Sequence, residues 1–187
     1  MNIKKAIALM SKSISIKLYN SADGSTWISN SKATYNLGSF PWCESEDELA
    51  SVLGFTNKQK ESHVLEIDNG EFFPYTSGNI ELIGLLNLED LCIANELGTT
   101  AFFTRKGETY AVNAALLKPF DAEDITYDLM KFPDGIKVIR VNYGLVTAGY
   151  IRAAKINNDI HKHIKAFVKV LNGIVVTEQQ EGQTDDA

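Results

Sequence analysis

Four dipeptides with glycine in second place, Asp23-Gly24, Asn69-Gly70, Lys106-Gly107 and Asp134-Gly135, cut this chain into short apolar runs and constrain its fold more than any other feature. Two-residue hairpin turns need positive φ at their central positions, which Asn-Gly and Asp-Gly accept at low cost. Asp23-Gly24 lies between Ile14, Ile16, Leu18 and the run Thr26, Trp27, Ile28, so it predicts a hairpin. Asn69-Gly70 follows Val64, Leu65, Ile67 and precedes Phe72, Phe73, Tyr75, where Pro74 restricts the second strand to an edge. Lys106-Gly107 joins Thr100–Thr104 to Thr109–Ala115. Asp134-Gly135 opens a strand over Ile136–Val141 whose two faces are both apolar, as in a central strand.

The ends of helices are equally marked. Ser45 followed by Glu48 predicts a capped helix that Gly54 ends. Asn87 before Glu89 and Asp90, with Gly98 beyond, predicts a second, because acids suit the positive end of a helix. Asp121–Met130, bounded by Pro119 and Pro133, reads as a third. A fourth begins at the cap Asn158, repeats Ile160, Ile164, Phe167, Val168 and Leu171 at helical spacing as its buried stripe, and closes at Gly173. Hairpins mixed with single helices, without regular βαβ alternation, define the expected fold class as α+β: an antiparallel sheet built from hairpins with about four helices packed on it. Without an internal linker or repeat, residues 1–176 are expected to form one globular domain. Residues 177–187 have the polar, non-aromatic composition of an acidic tail.

With 187 residues and 44% hydrophobic content, the chain can fill a core without disulfides or metal. Cys43 and Cys92 form no CxxC pair and read as small buried thiols. The apolar run Ala6–Met10 is shorter than the roughly 7–15 residues of a secretory core segment. The uncharged stretch Tyr143–Ile151 is far short of the roughly 20 residues that span a bilayer. A cytoplasmic location with no membrane partner is therefore expected. Lysine exceeds arginine 15 to 3, a bias expected of an AT-rich coding genome such as that of a bacteriophage or mobile element.

Catalytic signatures are sparse. Gly144 to Gly149 has the glycine spacing of a phosphate loop, but Tyr150 and Ile151 stand where Lys and Ser/Thr are needed. His161 and His163, two apart on a helix, point about 200° away from each other and do not chelate one ion; both read as solvated. Glu66 and Asp68 share one face of a strand and are the one carboxylate pair suited to a small metal-dependent hydrolase or nuclease. No catalytic residue, metal ligand or cofactor is assigned.

Charge is uneven along the chain. Residues 1–130 carry a net −8, residues 131–169 a net +6, and residues 170–187 a net −4. Lys162, Lys165 and Lys169 fall on one side of the fourth helix, preceded by Arg140, Arg152 and Lys155. These six residues are the expected partner-binding set. They suit an acidic protein surface, or a phosphate backbone with Tyr143 or Tyr150 stacking on bases.

Within Gly38–Asn87, the residues Trp42, Glu48-Leu49, Leu53-Gly54, Glu61, Ile67-Asp68, Pro74 and Asn79-Ile80-Glu81-Leu82 resemble the first lobe of the ArdA family of antirestriction proteins, which mimic DNA. The resemblance implies an acidic, DNA-like surface. The family's Asp-Tyr-Glu step is Asp68-Asn69-Gly70 here, and the +6 segment opposes phosphate mimicry. The leading expectation is thus a non-enzymatic binding or assembly protein that contacts a protein or its own copies. A DNA-directed protein, binding or mimicking DNA, and a hydrolase are the alternatives.

Overall fold

The computed structural model describes residues 1–21, 23–69, 80–96 and 98–181, with side chains described up to residue 169. Four α-helices are α1 (Ile3–Met10), α2 (Glu46–Val52), α3 (Asn57–Ser62) and α4 (Asn158–Glu181). Eleven strands are β1 (Ser15–Asn20), β2 (Thr26–Ser29), β3 (Ala33–Gly38), β4 (Val64–Asp68), β5 (Glu81–Asn95), β6 (Gly98–Arg105), β7 (Glu108–Asn113), β8 (Ile125–Lys131), β9 (Lys137–Tyr143), β10 (Val146–Arg152) and β11 (Ala154–Ile156). They form one sheet in the order β11-β7-β6-β5-β8-β9-β10-β3-β2-β1-β4. Among the described residues, only β1 and β4 run parallel. The chain is therefore mixed α and β with a mostly antiparallel sheet, larger than its turn signals alone suggest.

Three of the turn dipeptides make hairpins. Asp23-Gly24 joins β1 to β2, Lys106-Gly107 joins β6 to β7, and Asp134-Gly135 joins β8 to β9. Lys106 and Gly107 have φ of 45° and 80°, the left-handed pair that a tight hairpin turn requires. The partner strand expected after Asn69-Gly70 lies outside the described residues. β9 is central, as its two apolar faces predict, between β8 and β10.

Two expected helices are strands. Asn87 to Asn95 belongs to β5 and Gly98 opens β6, while Asp121–Met130 holds β8. In β5, Glu89, Leu91 and Ile93 turn inward while Asp90, Cys92 and Ala94 are exposed, a period of two that pairing on both sides of the strand enforces over local capping signals. Ile125, Thr126 and Tyr127 are β-branched and aromatic, which favours a strand in β8. Conversely, α1 and α3 supply two helices that were not expected. Asn2 accepts from the Lys5 amide, and α1 buries Ala6 and Met10. Thr56 and Gln59 cap α3 reciprocally, the grammar that Ser45 and Glu48 also use. Cys43 is buried but Cys92 is exposed, and both are free thiols.

β5 and the β10–β11 segment each serve two parts of the sheet. The first half of β5 pairs with β8 and the second with β6, while β10, which pairs with β9, leads through Ala153 into β11, which pairs with β7. Pairings thus run from β5 through β8, β9, β10–β11, β7 and β6 back to β5. Phe103, Tyr110, Leu129, Ile139 and Val141 from this ring are buried in one apolar cluster. The strands β3, β2, β1 and β4 extend from β10 as a wing whose Ile16, Leu18, Ile28 and Leu65 join the same cluster with Met10 of α1 and Leu49 of α2. Tyr35 of the wing donates to the Leu116 carbonyl at 2.9 Å and packs on Phe120, tying wing to ring. Among the described residues, no helix is long and apolar enough to cross a membrane.

Candidate interaction surface

The positive segment 131–169 folds against carboxylates from earlier in the chain. Asp128 and Arg140 are cross-strand partners, and Asp128 Oδ2 accepts from Arg140 Nε at 3.0 Å, Arg140 Nη2 at 2.6 Å and Asn142 Nδ2 at 2.9 Å. Lys155 on β11 reaches Glu108 Oε1 at 2.5 Å, and Tyr110 donates its hydroxyl to the same carboxylate. These two hydrogen bonds hold the Glu108 carboxyl down at about 2, and that with Glu108 raises the Lys155 ammonium. Lys137 Nζ donates to the Tyr110 hydroxyl at 3.1 Å. Lys131 meets Glu81 at 3.6 Å, and Lys165 pairs with Glu89. Burial works against the charge of Glu89, yet hydrogen bonds from Lys165 and Thr104 keep its carboxyl below the ordinary value.

The six expected partner-binding residues therefore fall into two groups. Arg140, Lys155 and Lys165 are held in three separate internal ion pairs. Arg152, Lys162 and Lys169 are exposed and meet no carboxylate among the described residues. A phosphate-tracking stripe needs its cations directed outward, and half of this set is directed at neighbouring strands.

Helix α4 seats on the sheet by a seam that its apolar pattern does not announce. His161, expected to be solvated, is 5% exposed; its ring packs 5.3 Å from that of Phe102, and its Nδ1 lies 3.2 Å from Thr109 Oγ1. Its Nε2 is 3.9 Å from Glu89 Oε2, the carboxylate that also pairs with Lys165. Ile164 and Val168, half-buried, continue this side at helical spacing. Phe167 and Ile160, expected in the buried stripe, are instead 63% and 57% exposed. Gly173 does not close the helix, which runs through Glu181 and includes the first five residues of the expected tail. The side chain of Leu171 and residues 182–187 lie outside the described residues. The polar anchor His161 was missed because a histidine beside a lysine reads as solvent-facing; its three-residue spacing to Ile164 is the signal that could have found it.

Glu66 and Asp68 share a face of β4, as expected, and Lys17 from β1 stands between them at 3.9 Å from Glu66 Oε2 and 3.2 Å from Asp68 Oδ2. Desolvation acts against the Lys17 charge, but the hydrogen bond to Asp68 and the nearby charges outweigh it and raise its pKa. Among the described residues, no three His, Cys, Asp or Glu side chains are grouped to hold a metal ion. This arrangement makes a cross-strand ion pair at the sheet edge. One ammonium here bridges two carboxylates.

No protein-family model, curated protein or solved structure matches the chain. The likeness of Gly38–Asn87 to the ArdA family thus rests on that stretch alone, of which residues 70–79 lie outside the described residues.

Proposed function

We propose that this chain is a non-catalytic assembly protein that associates with a second copy of itself through the outward seam of α4. The observation that carries this reading is the exposure of Phe167 and Ile160, seven residues apart along one edge of a helix that His161 and Lys165 already fix to the sheet. At 1.5 Å per residue, a helix of 24 residues extends about 36 Å. A helix this long gains little from propensity alone and draws its stability from packing an apolar face.

A single exposed edge on one long helix suits an isologous contact: two copies laid antiparallel bring Ile160 and Phe167 of each against α4 of the other. Size-exclusion chromatography with light scattering is the test. The expected result is a dimer mass for the wild type and a monomer mass for Ile160→Glu with Phe167→Glu, at an unchanged circular dichroism spectrum. A wild type that is monomeric at high micromolar concentration, or a double variant that stays dimeric, overturns the reading.

A further inference from the structure

Arg152 and Lys32 face each other across β10 and the loop before β3: the Arg152 amide donates to the Lys32 carbonyl at 2.8 Å, one step beyond the Ile151–Ala33 register pair. Like charges directly opposite on neighbouring chain segments are unfavourable. Another such pair, Lys131 opposite Lys137, is relieved by Glu81 and by the Tyr110 hydroxyl. Lys32 and Arg152 have no such relief among the described residues.

Both border a cleft of about 330 Å³ on the outer face of the sheet. That is within the range of small-molecule sites, roughly 300–1,000 Å³. Its floor is apolar and aromatic, made by Phe132, Ile136, Val138 and Tyr150, which form a cluster separate from the main core. Two turns wall it, and each is closed by its own side chain. Asn30 Oδ1 accepts from the Lys32 and Ala33 amides, both at 2.8 Å, and Asp134 Oδ1 accepts from the Ile136 amide at 2.9 Å. Walls held in this way lose little further freedom when a ligand enters. A second cleft, of about 450 Å³, borders the same two cations, but Thr99, Thr100, Val112 and Leu116 line it without an aromatic side chain. The aromatic floor singles out the first.

We infer that this cleft binds a flat organic anion of nucleotide size, its ring on the Tyr150 and Phe132 floor and its phosphate or carboxylate between Lys32 and Arg152. Asp134 on the facing turn offers an acceptor for an amino or hydroxyl group on the ring. The site lies on the sheet and does not depend on association through α4.

Trp27 stacks on Tyr150 at 6.0 Å between ring centroids, so its emission reports the floor. In a Trp42→Phe background it is the sole tryptophan. Adenosine 5′-monophosphate, benzoate, adenosine and inorganic phosphate are titrated by calorimetry and by Trp27 emission. Saturable binding of adenosine 5′-monophosphate identifies a phosphate headgroup, and that of benzoate alone a carboxylate. Either supports the site if adenosine and inorganic phosphate bind at least about tenfold more weakly, and if Lys32→Ala with Arg152→Ala weakens the anion about tenfold or more, the loss of roughly one charge-assisted contact. Both substituted residues are exposed, so the melting temperature should hold. Neither anion saturating, inorganic phosphate binding as tightly as the nucleotide, or the double variant retaining wild-type affinity overturns it.

Discussion

Strand β9 and helix α4 both carry apolar residues on two sides, yet only β9 buries both. On β9, Ile139 and Val141 enter the main core while Val138 packs with Met130 and Phe132 on the outer face. On α4, one side holds His161, Ile164 and Val168 against the ring, and the other leaves Ile160 and Phe167 exposed. The cations differ in the same way. Arg140 on β9 is bound by Asp128, whereas Lys162 and Lys169 on α4 meet no carboxylate among the described residues. Two apolar sides on a strand mean a centre; on a helix anchored by a histidine and a lysine, apolar residues beyond the seated side stay in solvent.

The comparison breaks most readily at β9. Ile139→Ala removes a fully buried side chain from the ring and should lower unfolding free energy by about 2–5 kcal/mol in urea denaturation. A loss under about 1 kcal/mol, as surface changes give, would mean that β9 is not the centre of a packed ring. Asp128→Ala comes next. It leaves Arg140 and Asn142 without their shared acceptor, and hydrogen bonds to charged groups are worth about 1.5–3 kcal/mol each way such pairs are broken. Removing Arg140 as well, by Arg140→Ala in the same chain, should recover part of that loss, since no guanidinium then stays unpaired. Equal losses in the single and double variants would show that the guanidinium left unpaired carries no penalty of its own.

Much of the sheet was legible because hairpin turns are local chemistry. Asp23-Gly24, Lys106-Gly107 and Asp134-Gly135 act within four residues, and each joins the strands that flank it. Capping at Ser45 was equally local. The misreadings at 87–98 and 121–130 have one cause. Asn87, Glu89 and Asp90 carry the signals of a helix start, but β6 and β8 lie on either side of β5, and a local preference of a few tenths of a kcal/mol per residue does not outlast that pairing. The charge asymmetry was legible as a sum and misleading as a surface, because Glu81, Glu89, Glu108 and Asp128 reach across strands to the lysines and Arg140 that follow them. Arg152 was marked as a cation from the sequence; its neighbour Lys32 was not, since 120 residues separate them until β10 pairs with β3.

The smallest effect expected is the one that sharpens the comparison most. Phe167→Ala deletes a large aromatic side chain, which in a core would cost about 3–5 kcal/mol. With 63% of Phe167 exposed, the cost to an isolated chain should stay within about 0.5 kcal/mol, the range of ordinary surface substitutions. Association changes this with concentration, because a partner that binds only the folded chain adds to its stability by mass action. Wild-type melting temperature should therefore rise as protein concentration rises, and that of Phe167→Ala should not, so the two curves meet at low concentration and separate at high. His161→Ala on the seated part of the same helix serves as the contrast: it strips packing from Phe102 and a partner from Thr109, and should cost about 1–3 kcal/mol at every concentration. Phe167→Ala lowering the melting temperature equally at all concentrations would place Phe167 in the fold itself, and the two sides of α4 would no longer differ.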